Sequence, residues 1–410
     1  MTGDQPSKDG ATGTAGQPEK RTGPEPRLVG TGIFSATVKD TIVTTVLAII
    51  LALLIGAVLI AISNSDVLDA LGYFGVYPWD TFTRAGDAIW VSYTSLLKGS
   101  IGSLDAIQAT LAKSAPLICA GLGVALAFKA GLFNIGAQGQ IIAGALAAGY
   151  VGFTWTSLPI GLHLLVSVVA GVVAGGIYGG IAGVLKARTG AHEVITTIML
   201  NHVAGFALAY ALAREIYQVT GSDERVSPPV ADSATYPSLL GVHSGVVVAL
   251  LAAMLVWWIL ERSTLGFELK AVGANPDAAQ TAGMNVAKVY TVAMLLAGAF
   301  AGLAATMQIN GDQAQISDTL IGTIGFDAIT VALLGRGSPL GTVLAGLLFG
   351  ALQVGGVSMQ ASTASTPPEL ALVLQSLIVL FVAAPAVVRH LVRLRDEKQD
   401  STFAAKGLSA

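Results

Sequence analysis

Residues 41–62 read TIVTTVLAIILALLIGAVLIAI, 22 residues without a charge. A helix rises about 1.5 Å per residue and a bilayer's hydrocarbon core is about 30 Å thick, so about 20 such residues suffice to cross it. The run is long for the core of a cleaved leader, and no A-x-A-like site follows, which predicts a retained helix. The rest of the chain has the same character. Of its 410 residues, 53% are apolar and 11% charged, against about 25% charged in soluble domains. Mean hydropathy is +0.70. Glycine supplies 49 residues, scattered through apolar runs rather than gathered in linkers. These features exclude a soluble enzyme, a disulfide scaffold and a disordered chain. They predict an all-α, polytopic membrane helix bundle.

Further runs predict ten spans, at 40–62, 105–128, 138–156, 160–185, 194–215, 243–260, 289–308, 319–335, 339–359 and 369–388. The stretch 64–103 is too polar to span, and residues 88–97 are expected to lie along the membrane surface. Residues 1–38 hold too few apolar side chains to fold and read as a disordered cytoplasmic tail. Residues 39–392 then form the membrane domain and 393–410 a second cytoplasmic tail. Lys and Arg orient this parse. With the N-terminus inside, 17 of the 22 fall on the cytoplasmic side. Arg84, Lys98 and Arg225 fall outside, and Lys113 and Arg214 lie in or near spans. That asymmetry predicts a multi-pass protein of the cell membrane with both termini cytoplasmic.

Several chemistries find no footing. No GxxxxGK[ST] loop occurs, so ATP has no Walker site in this chain. HEVIT at 192–196 opens like a zinc-protease motif, but Thr196 stands where the second histidine belongs. The net charge of −3 carries no nucleic-acid footprint. Cys119 is the sole cysteine. We expect no enzyme activity, metal or cofactor in this chain.

Three polar places interrupt the apolar background. FNIGAQGQ at 133–140 sets Asn134, Gln138 and Gln140 between two spans. Amides are costly in lipid, so the segment either lines a protein cavity as a broken helix or forms a cytoplasmic hairpin. Glu193, Thr197, Asn201 and Gly205 recur every fourth residue, forming one polar face of the fifth span. Asn201, toward mid-membrane, is expected to line a translocation path; a structural hydrogen bond is the competing reading. Asp327 sits within the eighth span, where a carboxylate needs a partner, and Lys113 is a candidate. Gly171, Gly175, Gly179 and Gly183 form a stripe for close helix approach, which could also permit sliding.

The longest inside loop, 261–288, contains STLGFELKAVGANPDAAQTAGMNV. Asn275 is a good N-cap, Pro276 suits the first helical position, and Gly283 can close a helix in the left-handed conformation. This predicts a short helix over 276–282, whose small residues Ala278, Ala279 and Ala282 suit docking into a groove.

GFELKAVGANPDAAQTAGMN resembles the coupling loop of ABC-importer permeases, in the branched-chain amino acid/ribose/nucleoside permease family. FNIGAQGQ, EVITTIMLN and GFDAITVALLGR place the resemblance closest to the simple-sugar/purine-nucleoside branch, over about residues 105–390. It implies a type II, vitamin B12-importer-like fold of about ten transmembrane helices. It also implies a second homologous permease, a cytoplasmic ABC ATPase that binds the ATP and Mg, and an extracytoplasmic binding protein or lipoprotein. Gly266, Gly273, Asn275, Pro276, Ala279, Ala282 and Gly283 would serve ATPase coupling. The expected function is a translocation path for nucleosides or simple sugars. The alternatives are branched-chain amino acids as cargo, or an ion-coupled secondary transporter using Glu193 or Asp327.

Overall fold

The computed structural model describes residues 32–219, 225–317, 322–362, 369–384 and 387. The chain divides into two units, residues 1–43 and 44–410. Of the first, residues 32–43 are described, and they are helical. The helix therefore begins before residue 39, where the membrane domain was expected to start. The remainder of that expected tail, and the expected tail 393–410, lie outside the described residues.

Helices dominate the order of elements. They are α1 (Gly32–Ser63), α2 (Ser65–Leu71), α3 (Pro78–Ile101), α4 (Leu104–Lys129), α5 (Ala137–Thr154), α6 (Leu162–Thr189) and α7 (Glu193–Leu212). A two-stranded hairpin, β1 (Ser238–Leu239) and β2 (Val242–His243), precedes α8 (Gly245–Arg262), α9 (Thr264–Ala274) and α10 (Pro276–Thr281). Then come α11 (Val286–Met307), α12 (Ile324–Leu334), α13 (Pro339–Ser362) and α14 (Glu369–Ala383). The fold is thus an all-α polytopic bundle, and a helix stands at each of the ten expected positions. Among the described residues, seven helices are long and apolar enough to cross a membrane: α1, α4, α6, α7, α8, α11 and α13. Gln138 and Gln140 dilute the apolar character of α5, and α14 is shorter. The eighth expected span, 319–335, contracts most. α12 has 11 residues, about 16 Å of helix at 1.5 Å per residue, too short to cross alone.

α4 and α11 are buried along most of their length, whereas few residues of α1 and α7 are buried. Sequence explains the closest contact. The glycine stripe of α6 lies against Gly298 and Gly302 of α11, and this is the most extensive helix pair. A Cβ at Gly175 would stand 2.5 Å from the Gly298 carbonyl oxygen and 2.7 Å from the Gly302 Cα. Backbone meets backbone there, which only glycine permits.

The stretch 64–103 departs from expectation. α3 is one helix of 24 residues, longer than the surface segment 88–97 read from sequence. One face, including Ala88, Ser92, Leu96 and Ser100, is buried. It packs along α13, and the Tyr93 hydroxyl donates to the Leu53 carbonyl of α1 at 2.5 Å. Polarity lowered the hydropathy of this stretch: Thr81, Ser92 and Ser100 face protein, while Arg84, Asp87 and Lys98 are exposed.

Residues 225–244 are strapped across the helix ends opposite α10. The Ser227 N–H donates to Ile316 O at 2.8 Å, Ala231 to Gly152 O at 2.9 Å and Tyr236 to Asn310 O at 2.8 Å. Buried His163 lies 2.9 Å by Nε2 from the Val151 carbonyl and 2.7 Å by Nδ1 from Ser233 Oγ. A carbonyl only accepts, so Nε2 carries a proton.

Candidate translocation site

FNIGAQGQ forms the turn from α4 into α5. α4 ends at Lys129 and is closed by Gly131, which has φ +74°, and the Leu132 N–H donates back to Ala127 O at 3.0 Å. This left-handed cap redirects the chain, so α5 packs on α6, α11 and α7 and barely touches α4. The segment is therefore a turn, yet not an exposed one. Asn134 and Gln140 are fully buried and exchange two amide hydrogen bonds, at 3.1 and 3.2 Å. Asn134 Oδ1 also accepts from the Gly136 N–H at 2.9 Å. Gln138 reaches α12, donating to Gly322 O and accepting from the Gly325 N–H, both at 2.9 Å.

The polar face of α7 closes on the same turn. Asn201 Oδ1 accepts from the Gly139 N–H at 2.8 Å, and its Nδ2 donates to Ile135 O at 2.9 Å. Buried Thr197 packs on Gly136, where a Cβ would meet its own Cβ at 2.9 Å. Gly205 has no neighbour within 4 Å of where a Cβ would stand. Glu193 forms an ion pair with Lys186 of α6 at 2.9 Å. Asn134, Gln138, Gln140, Thr197 and Asn201, expected as path residues, are brought together here, and their polar atoms bond within the chain. They fasten α5, α7 and α12 together.

This geometry sets an expected result. Asn201→Leu strips the partners from the Gly139 N–H and the Ile135 carbonyl, each worth about 1–3 kcal/mol when left buried. The variant should yield less folded protein with a lower thermal midpoint, measured in detergent. A wild-type midpoint combined with lost transport would assign Asn201 to the path instead.

Asp327 belongs to a different cluster. Its Oδ2 accepts from Thr323 Oγ1 at 3.1 Å and from Gln353 Nε2 of α13 at 3.2 Å. Gln353 and Lys113 both line a cavity of about 470 Å³ with Ala109, Ala112, Val354 and Val357. Asp327 borders a second cavity, of about 320 Å³, with Thr330, Gln375 and Ser376. Gln353, hydrogen-bonded to Asp327, links the two. Lys113, the partner candidate read from sequence, lines the same cavity as Gln353. Pro116 adds to the polarity: it has no N–H to donate to the Ala112 carbonyl four residues earlier. Sequence reading missed Gln353, Gln375 and Pro116. Each is a lone polar or helix-interrupting residue in an apolar run, and that was the available signal.

The short helix appears where its caps placed it. Asn275 Oδ1 accepts from the Ala278 N–H at 3.0 Å, and Gly283 has φ +85°. The Met284 N–H returns to Ala279 O at 3.0 Å, which completes the expected end. The docking face differs from expectation. Ala279 is turned inward onto the bundle and is buried. Gly273 packs against the backbone of Lys129 and Ala130, and Gly266 against that of Ile259 and Leu260. These three seat the loop on the bundle, with Gly266 and Ala279 buried and Gly273 partly exposed. Pro276, Asp277, Ala278, Gln280, Thr281, Ala282 and Gly283 remain exposed. Beside them a cavity of about 550 Å³ opens between Lys186, Gln280, Met284 and Tyr290. Among the described residues, no group of three His, Cys, Asp or Glu could hold a metal ion.

The architecture is a bundle of apolar helices with a few internally bonded polar groups and a capped short helix at one end. The family described as the branched-chain amino acid transport system permease component matches residues 106–383. The chain belongs to this permease family. The guanosine ABC transporter permease NupP of Bacillus subtilis (strain 168) is 36% identical over 317 residues, 75% of this chain and 89% of that protein. The glucose ABC transporter permease TsgB13 of Haloferax volcanii is 36% identical over 83% of this chain and 86% of its own length. The nucleoside ABC transporter permease NupB of Lactococcus lactis subsp. cremoris is 34% identical over 73% and 85%. No solved structure matches. This permease is therefore an ABC-importer membrane subunit, a transport component and not an enzyme by family. The resemblance read from the loop and from FNIGAQGQ agrees with these matches, including its sugar and nucleoside branch.

Proposed function

We propose that this permease carries nucleosides, and that the cavities joined by Gln353 are part of the path. The observation that carries this reading is the pair of amides, Gln353 and Gln375, set beside Asp327 in cavities of about 470 and 320 Å³. Small-molecule sites span about 300–1,000 Å³ and pair apolar walls with a few polar groups. An amide both donates and accepts, which suits the base edge and ribose hydroxyls of a neutral nucleoside. The guanosine and nucleoside permeases among the relatives support the same class. The glucose permease supports simple sugars as a second class, because sugar hydroxyls pair with the same groups. The relatives do not favour an ion-coupled secondary transporter.

In this reading the chain pairs with a second homologous permease. A cytoplasmic ATPase supplies ATP hydrolysis and engages the exposed edge of α10. An extracytoplasmic binding protein or lipoprotein delivers substrate. The face bearing Lys129, Lys186, Arg262 and Lys270 is cytoplasmic, following the positive-inside rule. The complete complex in liposomes should accumulate labelled guanosine when ATP is enclosed with the ATPase, and unlabelled guanosine should compete better than glucose. Uptake driven by an ion gradient without ATP, or competition by glucose alone, would overturn the reading.

A further inference from the structure

The smaller cavity holds a buried amide without a partner. Gln375 of α14 is 8% exposed, and it lines this cavity together with Asp327, Thr330 and Ser376. Its side chain makes no hydrogen bond among the described residues. Buried amides are ordinarily paired, so this one is completed by whatever enters the cavity.

Asp327 of α12 uses its two oxygens differently. Oδ2 accepts from Thr323 Oγ1 and from Gln353 Nε2, at 3.1 and 3.2 Å. Oδ1 accepts from no described residue. Among the described residues lining this cavity, Asp327 is the one ionisable group, and Lys113 lines the larger cavity. The hydroxyls of Thr330 and Ser376 donate to their own helices, to Phe326 O at 3.5 Å and Leu372 O at 2.8 Å. A ligand in the cavity is therefore offered the Gln375 amide as donor and Asp327 Oδ1 as a carboxylate acceptor.

That combination sorts nucleobases by one edge. Guanine, hypoxanthine and uracil carry a ring N–H next to a carbonyl oxygen. The N–H suits the carboxylate, and the carbonyl suits the amide. Adenine and cytosine reverse the pattern, setting a ring-nitrogen lone pair against Asp327. The volume of about 320 Å³ is at the small end for small-molecule sites, which suits a base better than a whole nucleoside. We propose that Asp327 and Gln375 select nucleosides whose base has a ring N–H beside a carbonyl; this rests on the nucleoside reading above.

The selectivity of uptake also reflects the binding protein, so the test omits it. The permease complex in nanodiscs is photolabelled with 8-azidoinosine, whose reactive group lies away from the N–H and carbonyl edge. Matched pairs then compete, inosine against adenosine and uridine against cytidine. Inosine and uridine should each displace the label at a concentration at least about tenfold lower than their amino counterparts. The adduct should map to α12 or α14. In Asp327→Asn, Thr323 and Gln353 hold the new carbonyl oxygen in the place of Oδ2, which puts the NH2 group in the place of Oδ1. An acceptor becomes a donor, so the preference should shrink to within twofold or reverse. The wild-type pairs need no variant, so misfolding of Asp327→Asn would not shelter the proposal. Equal displacement within the wild-type pairs, an adduct elsewhere in the chain, or an unchanged preference in a folded Asp327→Asn would overturn it. Displacement by no nucleoside would overturn the nucleoside reading as well, whereas equal displacement overturns the base selection alone.

Discussion

Gly302→Val should abolish accumulation of folded permease. A Cβ there would overlap the Gly171 carbonyl of α6, and it would lie 3.1 Å from the Val172 Cα. The obstructing atoms are backbone, so no rotamer change relieves the collision. Gly144 of α5 presses from another side, since a Cβ on it would stand 2.7 Å from the Gly302 Cα. Three helices would have to separate. Overpacking in an ordinary core costs about 1–3 kcal/mol, and there side chains can yield. The expected outcome is near-complete loss of the monodisperse peak in detergent size exclusion. Gly205→Ala, at a position with open space, should give a wild-type peak. Equal peaks for the two variants would show that the α6 and α11 contact is looser than described.

Gln353→Leu should lower guanosine uptake by about 10- to 100-fold at equal protein level, the equivalent of about 1.5–3 kcal/mol for a hydrogen bond to a charged group. The amide touches the Asp327 carboxylate and lines the larger cavity, so its loss alters both the cavity wall and the group behind it. Leucine is apolar and of similar length, so α13 should still insert and pack. Asp327→Asn, which keeps the shape and removes the charge, should separate the two contributions. A smaller loss than for Gln353→Leu would assign the main role to the amide. Asn134→Leu makes the useful contrast, because that fully buried amide pairs with Gln140 and its loss should reduce folded protein instead. Uptake within twofold of wild type for Gln353→Leu would remove the cavity from the path.

Features set by neighbours along the chain were legible in the sequence. The Asn275 cap, Pro276 at the helix start and left-handed Gly283 depend on residues a few positions away, and all appear in the structure. The helix positions followed from apolar run length in the same way. Direction and partnership were harder. Ala279 belonged to a small-residue face read as a docking surface, but the way α9 seats on α4 turns it inward. Asn201 and Gln138 were visible as polar residues in apolar surroundings, a pattern that fits both substrate contact and internal fastening. Their partners lie 62 to 187 residues distant along the chain, so no local pattern could decide between those roles. The contraction of α12 and the continuity of α3 likewise depend on which side of each helix meets protein.

The bond between Gln138 and Gly325 also has a consequence in time. The two residues are 187 positions apart. Chains are synthesised from the N-terminus at about 5–20 residues per second, so Gln138 exists for about 10–40 s before its partner has been made. Through that interval α4 to α7 can assemble and Asn201 can close on Ile135 and Gly139. The remaining amide at the start of α5 must be satisfied by water or by the insertion machinery. The arrival of α12 displaces that temporary partner and locks the turn. A chain released before residue 325 would therefore leave the ribosome with its early helices formed and this socket still open.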